Sequence, residues 1–410
     1  MVTQWTPMRW PNAWKDAFLF SLLKGTSIDC LIFDTKTQSQ LRGRADQDGF
    51  HTADLASLPH DITVAKGEWP GVKMARRGSG DISAGPTGVP WVDNNGWKVR
   101  LESALHPGTS VWIDAPPPDK SRIAGGSYLT AVADSAVQGG RWIINLDADL
   151  AEGVATQRAP ALATWKTITQ AADFFATHKD WATQEPVALV GVVSDFAGKN
   201  EFFGQELLNL LGRAGAQCRP LIKSGALKLV PPDEPTSMRA VIYADSDAPS
   251  AALRKQILTF VEAGGLLVAS PQWGQGARGS GENPRYSIRT LGKGRVAQSM
   301  ADPDDPYLWA NDAVIMVSHR YDLVRFWNGG ATASHYAISP DRKQAVVHLL
   351  FYSNRGPDSA SVRVAGRYRS VRASTIDQQK LANVELQMQK DAVEIHLPQV
   401  SQYVALELEA

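Results

Sequence analysis

Pro186-Val-Ala-Leu-Val-Gly-Val-Val-Ser-Asp195 is the stretch that decides the fold. Its aliphatic and β-branched run carries no polar alternation, so it reads as a strand over 187–193 buried on both faces, as in a parallel sheet covered by helices. Ser194, Asp195 and Gly198 then turn the chain into a helical pattern over 201–213. Downstream the unit repeats: a strand over 240–244, a helix over 250–263 stopped by Gly264-Gly265, and strands over 266–269 and 292–297. This predicts an open doubly wound sheet. The glycine-rich 274–284 reads as a mobile loop and 305–327 as an aromatic helical connector. Upstream, strands over 28–34, 61–65, 110–115 and 141–146 alternate with helical patterns over 91–105 (Trp97, Leu101, Leu105) and 161–181, which is again α/β. The tail changes to short alternating strands over 345–351, 361–364, 370–373, 384–388, 392–397 and 403–408, the spacing of an antiparallel sandwich. The division expected is 1–183, 184–300, a connector over 301–332, and a β-sandwich over 333–410.

The chain has 410 residues, 43% of them hydrophobic and 20% charged, enough apolar surface for several cores. Lys plus Arg and Asp plus Glu are both 42, so no global field draws in nucleic acid or an anionic membrane. No apolar run approaches the ~18 residues of a membrane span. Residues 1–10 lack the basic and apolar regions of a secretory signal, which reads as cytoplasmic, or as periplasmic or secreted if a signal has been removed. Cys30 and Cys218, the only two cysteines, are read as reduced packing residues. There is no His-Glu-x-x-His spacing, no phosphate-binding loop, and no Gly-x-Ser-x-Gly in a strand-to-helix context, so no metal and no cofactor are expected.

The order of an α/β first unit, a doubly wound second unit and a terminal sandwich resembles the family 42 glycoside hydrolases, bacterial β-galactosidases. The residues that carry the resemblance are Pro186 to Asp195, Phe260-Val-Glu-Ala-Gly-Gly-Leu-Leu-Val268, Gly292-Lys-Gly-Arg-Val296 and Val347-His-Leu-Leu350. The resemblance implies a β/α barrel, an amidotransferase-like middle domain, a carbohydrate ligand and a homo-oligomer, a trimer in that family. A (β/α)8 barrel takes about 250 residues. The segment before Pro186 is shorter, so the barrel is expected to be short or degenerate. The family's acid/base sits on an Asn-Glu pair, which here first occurs as Asn200-Glu201 in the second unit; the role is assigned to no residue. The middle unit's elbows, Val193-Ser-Asp-Phe196 and Ala269-Ser-Pro-Gln272, lack the amidotransferase cysteine.

In parallel β/α folds the strand C-terminal ends converge on one rim, where polar residues become site candidates. Asp34, Glu68, Asp114 and Asp147 all follow strands. Glycoside hydrolysis needs two carboxyls about 5–10 Å apart, one a proton donor and one a nucleophile or base. Asp114 and Asp147 are the expected pair, with Glu68 as third candidate. Asp93 and Asn95 are expected to orient sugar hydroxyls, and Trp69, Trp91, Trp97 and Trp112 to stack on C–H faces. Taken singly, each acid reads first as a helix cap or an arginine's partner and each tryptophan as core packing, and a non-catalytic relative that binds carbohydrate or serves assembly is the competing reading.

Overall fold

The computed structural model describes residues 3–33, 39–73, 75–76, 82–83, 91–225, 227–274, 284–327, 330–352, 358–377 and 380–410. The first unit contains two three-stranded parallel sheets. One joins β1 (Pro7–Arg9), β2 (Cys30–Ile32) and β3 (His51–Ala53); the other joins β4 (Ile62–Lys66), β5 (Ser110–Asp114) and β6 (Arg141–Trp142) in the order β6-β5-β4. A parallel bridge from Met8 to Ile144 links β1 to the extension of β6, so the last strand closes on the first as in a barrel. No pairing joins β3 to β4 among the described residues, and the barrel stays open there. The register sorts the side chains. Met8, Leu31, Val111, Ile113 and Ile144 pack on helices, while Cys30, Ile32, Ala53, Ile62, Trp112 and Ile143 form a second cluster on the opposite, inner face.

Helices α1 (Gly96–Leu105), α2 (Gly125–Ala136), α3 (Ala148–Ala155) and α4 (Ala159–Thr177) accompany these strands. α4 starts with Pro160, whose missing N–H costs nothing in the first turn, and buries Trp165, Ile168 and Ala172 along one stripe. Two expectations shift. Trp91–Asp93 is a strand paired with Gly71–Lys73, so the helix begins at Gly96, and the helix expected over 161–181 ends at Thr177 before a 3-10 turn.

The second unit is a six-stranded sheet, ordered β8 (Cys218–Ile222), β7 (Val190–Ser194), β9 (Ala240–Tyr243), β10 (Leu266–Ala269), β12 (Gly294–Ser299) and β11 (Tyr286–Leu291). Every residue of β7, β9 and β10 is buried, as their unbroken apolar runs require. β11 and β8 were not anticipated; β11 pairs antiparallel at the edge, where its half-exposed alternation hides from a search for buried runs. The 274–284 loop lies almost wholly outside the described residues. Gly294 is obligatory: a Cβ there would drive into the Val261 and Gly265 carbonyls that receive the turn.

The terminal sheets have five and four antiparallel strands. Two chain segments from outside the expected sandwich join them. Glu185–Pro186 pairs with Thr332–Ile338, and Val324–Phe326, expected as helical connector, pairs with Asp358–Ala365. The connector therefore is a helix, Pro306–Val317, followed by a strand.

The sandwich meets the first unit at a ring stack. His178 lies 4.2 Å from Trp181, which meets His348 edge-on at 5.2 Å, and His348 stacks on His335 at 6.0 Å. Burial lowers the pKa of both His335 and His348, that of His348 to about 3. Both stay neutral in the fold, whereas the unfolded chain protonates them near pH 6.5. Stability from these two is present above pH 6.5 and is lost as pH falls below it, for His348 down to about 3, by up to about 1.4 kcal/mol per pH unit for each ring. His348→Gln keeps an acceptor for the Tyr403 hydroxyl, 2.7 Å from His348 Nδ1. Urea denaturation should show a shallower loss of stability in this variant between pH 6.5 and 4; slopes parallel to the parent would contradict the assignment.

Candidate functional site

The inner face of the open barrel ends in a hydrogen-bonded polar triad. Arg9 closes β1, Asp114 closes β5 and Asn145 follows β6. Arg9 donates from Nη2 to Asp114 Oδ2 (2.9 Å) and from Nε to Asn145 Oδ1 (2.7 Å), and Asn145 Nδ2 donates to Asp114 Oδ1 (3.2 Å). Asn145 Nδ2 also reaches the Ile143 carbonyl at 3.0 Å, which fixes its amide orientation. Strand pairing sets the parity: Pro7 and Arg9 align with Cys30 and Ile32, and Asp114 lies two residues beyond Trp112, so the triad shares the inner face. Among the described residues that face is open at the middle of β4, where Val64 retains 36% exposure. The register also brings Lys66 opposite Asp114.

Glu68 stands at the neighbouring strand end, two residues past Lys66, with its side chain 52% exposed and Lys98 Nζ at 3.6 Å. Its backbone is held by Asn95, whose Oδ1 accepts from Glu68 N (2.9 Å) and whose Nδ2 donates to Glu68 O (2.8 Å). Asn95 is wholly buried and also binds Asp134, so it positions the Glu68 turn from beneath. Gly67 permits that turn, since a Cβ would strike Ile113.

Asp147 is bonded differently. It is buried and caps α3, accepting from Leu150 N (3.0 Å) through Oδ1, and from Ile123 N (3.1 Å) and the Tyr128 hydroxyl (3.2 Å) through Oδ2. Burial raises the Tyr128 pKa, so that hydroxyl stays a donor. Asp93 is buried against Arg213 (3.3 Å) of the second unit. Trp112 is fully buried among Ile32, Ile62 and Ile143. Trp97 packs against the core of the second unit, and Trp69 meets Tyr128 and Trp142 edge-on, both at 5.1 Å. The side chain of Trp91, and Asp34, lie outside the described residues. The structure thus brings Asp114 and Glu68 to adjacent strand ends, while the tryptophans disperse into separate packing roles. Arg9 and Asn145 were missed. Asn145 left a signal, a lone amide inside Ile143-Ile144-Asn145-Leu146, which an apolar strand tolerates only where it ends or meets a polar partner.

A second polar cluster occupies the point where strand order reverses in the middle sheet, at the ends of β7, β8 and β9. Lys223 Nζ lies 2.7 Å from Asp195, 2.8 Å from Asp245 and 3.7 Å from Asp247. Ser194 Oγ donates to Asp245 at 2.6 Å. Burial opposes the charge on Lys223, yet Asp195 and Asp245 outweigh it and raise its pKa; desolvation likewise opposes the Asp195 carboxylate, but bonds from Lys223, the Ala197 amide and Asn200 hold it low. For Asp245 desolvation dominates and raises the pKa. Ser194 is buried and bonded, so the elbow offers no free nucleophile. Among the described residues no cluster of His, Cys, Asp and Glu fits a metal ion, and no helix is long and apolar enough to cross a membrane.

No family model matches the chain, and no curated protein matches it. Among solved structures, the β-galactosidases from Bacillus circulans sp. alkalophilus and from Rahnella sp. R3 are similar to it at 9% and 11% identity with TM-scores of 0.49; each match covers 93% of this chain and 63% of that one. The chain therefore spans less than two thirds of those galactosidases. The α-L-fucosidase isoenzyme 2 from Paenibacillus thiaminolyticus is similar over 95% of this chain and 78% of that chain, at 11% identity and a TM-score of 0.52. On that likeness, spanning nearly the whole chain, the protein has a glycoside hydrolase-type fold.

Proposed function

We propose that this chain binds a saccharide at the strand-end rim of its open barrel and does not hydrolyse it through the Asp114–Asp147 pair. The observation that carries the reading is the Arg9–Asp114–Asn145 triad on an unsealed inner face, a prearranged set of donors and acceptors suited to sugar hydroxyls. Asp147 is buried and its oxygens are filled by two amides and a hydroxyl, so they are occupied within the fold rather than offered to a substrate. A second reading has one observation in its favour: Glu68 is half exposed beside Asp114 and fits a proton donor opposite a carboxylate held by arginine.

Calorimetric titration with oligosaccharides, combined with a panel of chromogenic glycosides, separates the two. Binding without turnover is expected, with affinity falling about tenfold in Asp114→Asn, the loss of one charged hydrogen bond. Turnover abolished by Glu68→Gln would establish the second reading, and affinity indifferent to Asp114→Asn would remove the rim from either.

A further inference from the structure

The strands of the open barrel have a second end, and it is hollow. Where β1, β2 and β6 begin, a cavity of about 460 Å³ opens to solvent between the strand starts, α2 and α4. It lies opposite the rim, because Thr6, Asp29 and Arg141 precede or open the strands that Arg9, Ile32 and Trp142 close. Its floor is apolar, with Ala172 and Phe175 from α4, while Ala176 and Lys179 stand exposed at its mouth. Two opposite charges face it. Arg141 donates to the Gly140 carbonyl (2.9 Å) and the Gln4 carboxamide (2.7 Å), and Asp29 Oδ1 accepts from the Thr6 amide (2.7 Å), so each charge is hydrogen-bonded to neutral partners. Desolvation raises the Asp29 pKa and lowers that of Arg141, while the attraction between the two opposes both shifts. Opposite charges whose mutual attraction does not offset their desolvation are unfavourable for folding alone and favourable for receiving a charged ligand.

We propose that this cavity is a binding site for a small hydroxylated carboxylate of the size of a hexuronic acid. The carboxylate lies against Arg141 and Lys179, a hydroxyl donates to Asp29, and the ligand's C–H face covers Phe175 and Ala172. The volume admits one ring with room to spare, and neutral sugars lack the anion that two cations demand. The site is distinct from the rim and independent of the function proposed there; no bond is made or broken in it.

The test is calorimetric titration of the full chain with galacturonate, gluconate, galactose and acetate. Galacturonate should bind; gluconate, an open chain with the same groups, reports whether the ring is needed. Arg141→Gln and Lys179→Glu should weaken binding about tenfold or more, and Ala176→Phe, which blocks the mouth, should abolish it. Asp114→Asn at the rim should leave it unchanged. The exposed Lys179 and the cavity-lining Ala176 keep the test decisive if Arg141→Gln fails to fold. Binding of neither galacturonate nor gluconate, acetate binding as tightly as galacturonate, or affinity indifferent to Lys179→Glu and Ala176→Phe would overturn the proposal.

Discussion

Lys223→Met should lower the unfolding free energy by on the order of 3–5 kcal/mol, the cost of stranding a buried carboxylate whose counter-charge has been removed. Lys223 is the ammonium closest to Asp245, which is almost wholly buried, and it also neutralises Asp195 at 2.7 Å. Ser194 alone would be left to hold Asp245. Three acids around one lysine make the loss larger than that of an exposed pair, which is worth about 1 kcal/mol or less. The companion variant Lys223→Met/Asp245→Leu removes the stranded charge and should recover most of the stability, because an apolar pair of similar volume is often no worse than a buried ion pair. Urea denaturation followed by tryptophan fluorescence reads both. A single variant within about 1 kcal/mol of the parent would show that Lys223 does not hold the switch-point acids.

Asp134→Ala should be comparably damaging, for a different reason. Asp134, on α2, is buried and joins two distant segments: it accepts from the Asn95 amide (2.7 Å) and side chain (3.1 Å) at the start of α1, and from the Tyr352 hydroxyl (2.6 Å) just past strand Gln344–Phe351 of the terminal sheets. Burial raises its pKa, against the pull of those donors and of Arg100. Alanine removes the acceptor shared by the Asn95 backbone amide and the Tyr352 hydroxyl at a buried junction, a loss of roughly 3 kcal/mol or more. Because Asn95 also clamps the Glu68 backbone, the variant should loosen the rim as well. A double-mutant cycle with Tyr352→Phe isolates the long-range bond: coupling of about 1 kcal/mol or more is expected, and additivity would contradict it.

The middle sheet was the most legible part of the chain, for a physical reason. A parallel strand covered on both faces is apolar at nearly every position, and Ala240–Tyr243, Leu266–Ala269 and Val190–Ser194 up to its final serine announce themselves by that run alone. Strands of two or three residues, such as Pro7–Arg9, His51–Ala53 and Glu185–Pro186, carry too little periodicity to be seen, and their placement is fixed by neighbours far along the chain. The same distinction governs the site. Strand-end acids were legible as candidates, but the role of each is set by what lies opposite: Arg9, 105 residues from Asp114, holds one, and the Ile123 amide with Tyr128 holds Asp147 in a helix cap. Tryptophans clustered in sequence separated in space, since the neighbouring strand and helix positions that carry Trp112 and Trp97 face different cores.

The saccharide-binding rim is tested most directly by a crystal structure of the full chain with an oligosaccharide bound. The sugar is expected at the C-terminal ends of the first unit's strands, with a hydroxyl within hydrogen-bond distance of Asp114 and of Arg9 or Asn145. A saccharide bound anywhere else, with the Arg9–Asp114–Asn145 triad untouched, would contradict it.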